Sequence, residues 1–98
     1  MIKHARPSRE AAEMLAIQAL AFIAEDPERM SAFLGATGIE PAAIRDAARS
    51  PYFLKGVLEH MLADETLLLA FSDGAGLDPA EIARGRSALG GQWERDLP

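Results

Sequence analysis

Residues 26–44 read DPERMSAFLGATGIEPAAI, and residues 64–82 repeat the pattern as DETLLLAFSDGAGLDPAEI. At this spacing of 38 residues, seven pairs of positions are identical: Asp26 and Asp64, Ala32 and Ala70, Phe33 and Phe71, Gly38 and Gly76, Pro41 and Pro79, Ala42 and Ala80, and Ile44 and Ile82. Repeats of this period are typical of supersecondary units that stack and share one core. This internal repeat therefore predicts a domain built from two similar units.

Helix start and stop signals recur along the chain. Four prolines follow residues that can cap a helix N-terminus, in the pairs Asp26-Pro27, Glu40-Pro41, Ser50-Pro51 and Asp78-Pro79. Proline fits the first helical turn because its missing N–H would have no partner there. Asp64 gives the same start without a proline, whereas Glu40 is the weakest cap of the group. Gly38 and Gly76 each precede an apolar residue, as in the Schellman type of helix ending.

These signals predict six helices, at residues 8–25, 27–37, 41–49, 51–63, 65–75 and 79–89. The fourth helix carries an apolar stripe, formed by Phe53, Leu54, Val57, Leu58, Met61 and Leu62. The first helix is apolar nearly all round, as is the segment Leu67–Phe71, so both are expected at the centre. The short third and sixth helices are expected to be anchored by Ile44 and Ile82.

The expected fold class is all-α, a compact bundle of six short helices from two pseudo-repeated three-helix units. The first unit spans residues 8–49 and the second spans residues 50–89. Residues 1–7 are expected to form a mobile N-terminal tail. Gly90-Gly91 is expected to end the last helix, which leaves residues 90–98 as a C-terminal tail.

Composition indicates one ordinary globular domain over residues 1–98, with 49% apolar and 26% charged residues. There is no cysteine, and the net charge of −5 disfavours general binding to nucleic-acid phosphates. The apolar run Met14–Ala24 is too short to span a bilayer, and no cleavage site precedes a mature start. Because the chain also lacks cysteine, a reducing cytoplasm is the expected location. Gln18 interrupts this run and is expected to be a core amide bonded to backbone.

Several segments, in this order, resemble a family of small helical bacterial proteins known as domain of unknown function 3572 (DUF3572). The segments are ALAFIA at 19–24, DPER at 26–29, Phe33-Leu34, Thr37-Gly38, LADE at 62–65, LLLAF at 67–71, LGG at 89–91 and WERD at 93–96. The resemblance covers almost the whole chain. It implies a stand-alone all-helical protein, and it carries over no activity, cofactor or catalytic residue.

The two glycine-containing turns match the outline of a helix-turn-helix, with the third helix as the recognition helix. That helix would present Arg45 and Arg49 on one face. Arg84 and Arg86 would lie on the sixth helix, which corresponds to the third in the repeat. Guanidinium groups suit both phosphate contacts and guanine recognition. Carboxylates flank both arginine pairs, however, so the preferred explanation is that the arginines are solvated partners of these carboxylates and that the turns merely stop helices. A nucleic-acid-binding regulator is therefore the alternative hypothesis, and nucleic acid is not the expected partner.

No arrangement of residues predicts an enzyme, a metal site or a cofactor. His60 and Asp64 could approach each other, but a metal site needs three or four converging ligands. Asp64 is better explained as the cap of the fifth helix, and His60 as a side chain near the favourable end of the fourth. None of the serines lies in a strand–turn–helix elbow, and no glycine-rich phosphate loop follows a strand. The chain is expected to be non-catalytic and to need no cofactor.

Trp93 is the only tryptophan, and it lies beyond the two glycines, beside Arg95. It could seal one end of the bundle, or the tail could be a docking peptide. The leading hypothesis is a protein-binding or adaptor module with an unidentified protein partner, or a homodimer, and no membrane contact. The candidate contact residues are Arg45, Arg49, Tyr52, Trp93 and Arg95. This hypothesis predicts an exposed apolar patch bordered by charge, whereas a closed apolar cavity would indicate a small ligand.

Overall fold

The computed structural model describes the backbone of residues 7–96 and the side chains of residues 7–90. This part of the chain contains six α-helices and no strand, which confirms the all-α fold class. The helices are α1 (Arg9–Ala24), α2 (Pro27–Thr37), α3 (Ile44–Ala47), α4 (Pro51–Leu62), α5 (Glu65–Ala75) and α6 (Pro79–Asp96). A 3₁₀ turn, Pro41–Ala43, leads into α3.

Side-chain caps are present at five helix starts, and those at Asp26, Ser50, Asp64 and Asp78 were predicted from the sequence. Ser8, Asp26, Ser50 and Asp64 each accept a hydrogen bond from a backbone amide in the first turn. At α6 the cap is reciprocal: the Ala80 amide donates to Asp78 Oδ1 at 2.9 Å, and the Asp78 amide donates to Glu81 Oε2 at 3.2 Å. Such a capping box satisfies two amides that the helix itself cannot pair.

Both predicted glycine stops are left-handed, with φ of 71° at Gly38 and 69° at Gly76. The ending of α5 is of the Schellman type, because the Leu77 amide donates to the Ser72 carbonyl at 2.8 Å and the Gly76 amide to the Asp73 carbonyl at 3.4 Å. The ending of α2 is simpler. The Gly38 amide donates to the carbonyl four residues back at 2.8 Å, and a threonine hydroxyl accepts from the next amide.

Three helices, α1, α4 and α6, pack against one another at the centre of the molecule. Helix α2 packs on α1, and α5 packs on α4 and α6. The buried apolar side chains form one cluster contributed by five of the six helices. The radius of gyration, 13.4 Å, equals what a compact domain of this length has, about 13 Å.

Small residues allow α1 and α6 to approach closely. Ala12, Ala16 and Ala19 lie on one face of α1 and are at most 1% exposed. Opposite them, a Cβ atom at Gly85 of α6 would lie 2.9 Å from Leu15 Cδ2 and 3.4 Å from Leu58 Cδ1. Real Cβ atoms do not approach a carbon as closely as 2.9 Å, so alanine at this position would require the end of the Leu15 side chain to move.

The predicted end of the last helix was wrong. Helix α6 continues through Gly90 and Gly91 and reaches Asp96. A glycine inside a helix costs only about 1 kcal/mol, which tertiary packing can offset. That packing is visible here, because Leu89 is 1% exposed and a Cβ at Gly90 would lie 3.1 Å from Lys55 Cε.

Two other expectations needed correction. The predicted third helix, residues 41–49, is a 3₁₀ turn and four α-helical residues, and the side chain of Glu40 makes no capping hydrogen bond there. Helix α5 is not central: Leu67 and Phe71 are buried, but Leu69 is 49% exposed. The two-unit repeat stays a prediction, since its third helices differ in length, with four residues in α3 and 18 in α6. The expected N-terminal tail falls mostly outside the described residues.

Candidate functional site

One face of α1 carries apolar side chains that no other described helix covers. Met14, Ile17, Gln18 and Ala21 are all exposed and follow the i, i+3, i+4, i+7 spacing of a single helix face. Met14 is 63% exposed and Ile17 is 47% exposed. The expectation that Gln18 is a core amide was therefore wrong. We call these four residues the α1 face.

Two depressions lie along this face and meet at Gln18. The first, of about 520 Å³, lies between α1 and α6 and is lined by Pro7, Ala11, Met14, Leu15 and Gln18, with Glu81 opposite. The second, of about 620 Å³, lies between α1 and the end of α5 and is lined by Gln18, Ala21, Phe22, Phe71, Ala75 and Leu77. Because Gln18 and Ala21 are exposed, both depressions open to solvent. The two depressions share the lining residue Gln18, and we call them together the α1 groove.

Aromatic packing forms the floor of the second depression. The rings of Phe22 and Phe71 are tilted against each other, with centroids 5.4 Å apart. Arg29 of α2 contacts Phe22 in two ways. Its Cζ lies 4.0 Å from the ring centroid, and its guanidinium donates to the Phe22 carbonyl at 3.4 Å. Asp26 Oδ2 lies 3.7 Å from the same guanidinium. These contacts fix the floor against both α2 and α5.

A third depression, of about 470 Å³, adjoins the second at Leu77 and is also lined by Leu69, Ser72 and Asp73. Ser72 is 3% exposed, and its hydroxyl has no hydrogen-bond partner within the described part of the chain. An unpaired buried hydroxyl is unfavourable by about 1–3 kcal/mol. Ser72 is therefore a locally unfavourable residue beside the groove.

The charge around the α1 groove is mostly negative. Glu25 and Glu81 line it, Asp73 lines the adjoining depression, and Arg84 is the cation among these lining residues. Most of the other described cations already contact a carboxylate. The ion pairs are Arg9 with Glu13 at 3.4 Å, Arg29 with Asp26, and both Lys55 and Arg86 with Glu59.

The site residues predicted from the sequence lie elsewhere. Arg45 and Arg49 are exposed, on α3 and just after it, and Tyr52 is 71% exposed in the first turn of α4. Trp93 and Arg95 lie on the last turns of α6, and their side chains fall outside the described residues. None of the first three lines the α1 groove. Their role in binding stays a prediction.

The arrangement gives little support to a helix-turn-helix. With four residues, α3 is about 6 Å long, which is short for a helix that must lie in a DNA major groove about 12 Å wide. Arg86 donates two hydrogen bonds to Glu59, at 2.9 and 3.1 Å, and so fastens α6 to α4. Arg84 and Arg86 therefore have different surroundings: Arg84 lies at the first depression, whereas Arg86 is paired with Glu59.

His60 packs edge-on against the ring of Phe33, with centroids 5.1 Å apart. Asp64 Oδ1 accepts from the Leu67 amide at 3.2 Å, as expected for a cap. Across residues 7–90 there is no group of three or more side chains able to hold a metal ion. The structure thus assigns both residues structural contacts.

The α1 groove was missed from the sequence for a physical reason. An apolar helix predicts burial, but which of its faces stays uncovered depends on how many helices surround it. Gln18 was the available signal, because it is the single polar side chain within Met14–Ala24.

Within the described residues, no helix is both long enough and apolar enough to cross a membrane. Comparisons with curated proteins and with solved structures find no match. The family comparison matches residues 9–92, most of the chain, to the family described as protein of unknown function (DUF3572). This agrees with the resemblance drawn from the sequence, and the chain belongs to the DUF3572 family.

Proposed function

We propose that this chain is a non-catalytic protein-binding or adaptor module and that its partner docks in the α1 groove. The observation that carries the proposal is the uncovered α1 face, where Met14 and Ile17 are exposed beside two depressions with charged residues at their edges. Apolar patches bordered by polar groups are typical of interaction sites. Burying these side chains would release a driving force of about 25 cal/mol for each Å² of apolar surface.

The shape of the groove favours a polypeptide over a small molecule. The lining residues on α1 run from Ala11 to Glu25, a rise of about 21 Å along the helix. A small-molecule pocket usually encloses most of its ligand. An open groove of this length instead suits an amphipathic helix laid along it, with apolar side chains entering the two depressions.

Affinity capture from lysate of the source cells tests the proposal. The full chain is compared with Ala21→Gln, which places a long neutral side chain into the second depression. Ala24→Gln is the matched control, since Ala24 is exposed on the same helix and lines neither depression. We expect a stoichiometric protein partner with the full chain and the control, and its loss with Ala21→Gln.

Other outcomes would redirect the assignment. A protein partner that survives Ala21→Gln but is lost in the double variant Arg45→Ala plus Arg49→Ala would move the interface to α3. Nucleic acid captured by the full chain and lost in that double variant would favour the helix-turn-helix alternative. Capture of neither class of molecule would contradict a protein-binding module.

A further inference from the structure

We infer that the occupant of the α1 groove is a cationic amphipathic helix of a partner protein. This inference rests on the proposed function and adds the chemistry of the partner. Its basis is the electrostatics of the groove, in which carboxylates outnumber cations and two helices end at the same depression.

Two carboxylates line the groove, one in each depression, and a third lies in the adjoining depression. Glu25 lies at one end of the second depression and Glu81 lines the first, while Asp73 lines the third depression next to Leu77. Arg84 offsets one of these charges. The other described cations near α1 are already paired, because Arg9 contacts Glu13 and Arg29 contacts Asp26 and the Phe22 ring. The groove therefore presents mainly negative charge to a partner.

Two helix C-termini add to this negative potential at the second depression. Its lining includes Phe22 and Glu25 from the end of α1, and Gly74 and Ala75 from the end of α5. The C-terminal end of a helix carries a partial negative charge and favours nearby cations. A lysine or arginine can lay its aliphatic stem on the apolar lining of this depression and keep its charged end beside Glu25. Arg29 already shows that a guanidinium packs well on the Phe22 ring.

The dimensions of the groove set the length of the partner segment. A helix that spans the rise from Ala11 to Glu25 needs about 14 residues, or four turns. The two depressions on either side of Gln18 accept apolar residues from one face of that helix. Basic residues on the flanks of this face would then lie beside the bordering carboxylates.

The same charges argue against a second copy of this chain as the occupant. Two α1 faces packed antiparallel around a two-fold axis near Gln18 would place Glu10 opposite Glu25 of the other copy. Like charges held opposite each other weaken association. A partner with complementary charge avoids this cost.

Three synthetic peptides of about 16 residues test the inference. They share one leucine stripe at helical spacing and differ in their flanking residues, which are all lysine, all glutamine or all glutamate. Fluorescence anisotropy measures their binding to the full chain at low and at high salt. We expect the lysine peptide to bind at least tenfold tighter than the glutamate peptide, with the glutamine peptide between them and the difference reduced by salt, on the order of magnitude typical of charge complementarity.

Charge-neutralising variants localise the effect. Glu25→Gln plus Glu81→Gln should weaken the lysine peptide about fivefold, the size expected for two partly exposed charges. Gln can replace Glu in a capping box, so the start of α6 is preserved. The control is Glu28→Gln plus Glu65→Gln, which changes the net charge equally at exposed positions outside the groove. It should leave binding unchanged, and circular dichroism verifies that both variants are folded.

Four results would overturn the inference. Equal binding of the lysine and glutamate peptides would leave an apolar docking groove without a cationic partner, and the proposed function would stand. Binding of none of the peptides would remove the helical occupant, and the lysate capture decides the proposed function separately. A solution dimer broken by Ala21→Gln would make a second copy the occupant. Tighter binding of the uncharged glutamine peptide, by tenfold or more, in Lys3→Gln plus Arg6→Gln would assign the groove to the chain's own N-terminal segment.

Discussion

Two glycines in α2, three residues apart, should respond to alanine in opposite directions. Gly35 lies inside the helix and Gly38 ends it with φ of 71°, and a Cβ atom at either position meets no atom within 4 Å. Steric clashes therefore play no part in either substitution. Backbone conformation alone decides the sign, which makes the pair a clean test of how α2 ends.

The magnitudes follow from the two conformations. Gly35→Ala should raise the free energy of unfolding by about 1 kcal/mol, because alanine is the better helix former and restricts the unfolded chain. Gly38→Ala should lower it by about 1 kcal/mol, since the left-handed conformation is unfavourable for alanine by about 1–2 kcal/mol and the unfolded-state effect offsets part of this cost. The difference of about 2 kcal/mol corresponds to about 10 °C in Tm for a domain of this size.

Thermal and urea unfolding, followed by far-ultraviolet circular dichroism, measures both variants. Gly74→Ala and Gly76→Ala repeat the comparison in α5, where Gly76 has φ of 69°. Gly38→Asn should cost less than Gly38→Ala, because asparagine tolerates the left-handed region better. If Gly35→Ala and Gly38→Ala shift Tm in the same direction, the account of this helix ending is wrong.

Other substitutions test the packing. Gly85→Ala should lower the free energy of unfolding by about 1 kcal/mol, because crowding against Leu15 outweighs the gain in helix propensity. Gly56→Ala, in open space, should raise it by about 1 kcal/mol, so an equal stabilisation by Gly85→Ala would contradict the expected cost of moving Leu15. Ser72→Ala should raise the urea midpoint by removing an unpaired buried hydroxyl, worth about 1 kcal/mol, and a lower midpoint would indicate a hidden partner. Phe33→Ala should cost about 3–5 kcal/mol, because its ring is fully buried against Phe53 and His60. Similar losses from the half-exposed Leu69→Ala would contradict this assignment of the core.

Features set by near neighbours in the chain were predictable from the sequence. Asp26 and Asp78 cap helices through amides two residues away, at 3.0 and 2.9 Å, so the cause and the effect lie within one turn. The same holds for Gly38 and Gly76, whose left-handed conformations end helices. Such short-range interactions are largely independent of the rest of the fold.

Features set by distant contacts were not predictable in this way. Helix α6 continues past Gly90 where the helix packs on Lys55, 35 positions earlier in the sequence. Conversely, α3 is short although the alanines of residues 41–49 favour a helix, since Ile44 is only half buried and few contacts support the segment. The α1 face belongs to the same class, because only the placement of the other helices decides which side of α1 stays uncovered. Of the predicted contact residues, Arg45, Arg49 and Tyr52 are exposed as binding residues must be, but exposure alone does not assign a role.

The direct packing of α1 against α6 has a consequence for how the protein is made. The first helix needs the last one to cover its alanine face, so the core stays incomplete until α6 has been synthesised. At the usual speed of a ribosome, the 18 residues of α6 take about 1–4 s to add. Throughout that interval the nascent chain displays apolar surface that the finished protein hides. Folding of this helical core during translation therefore waits for α6, and chaperones that recognise exposed apolar segments can bind until then.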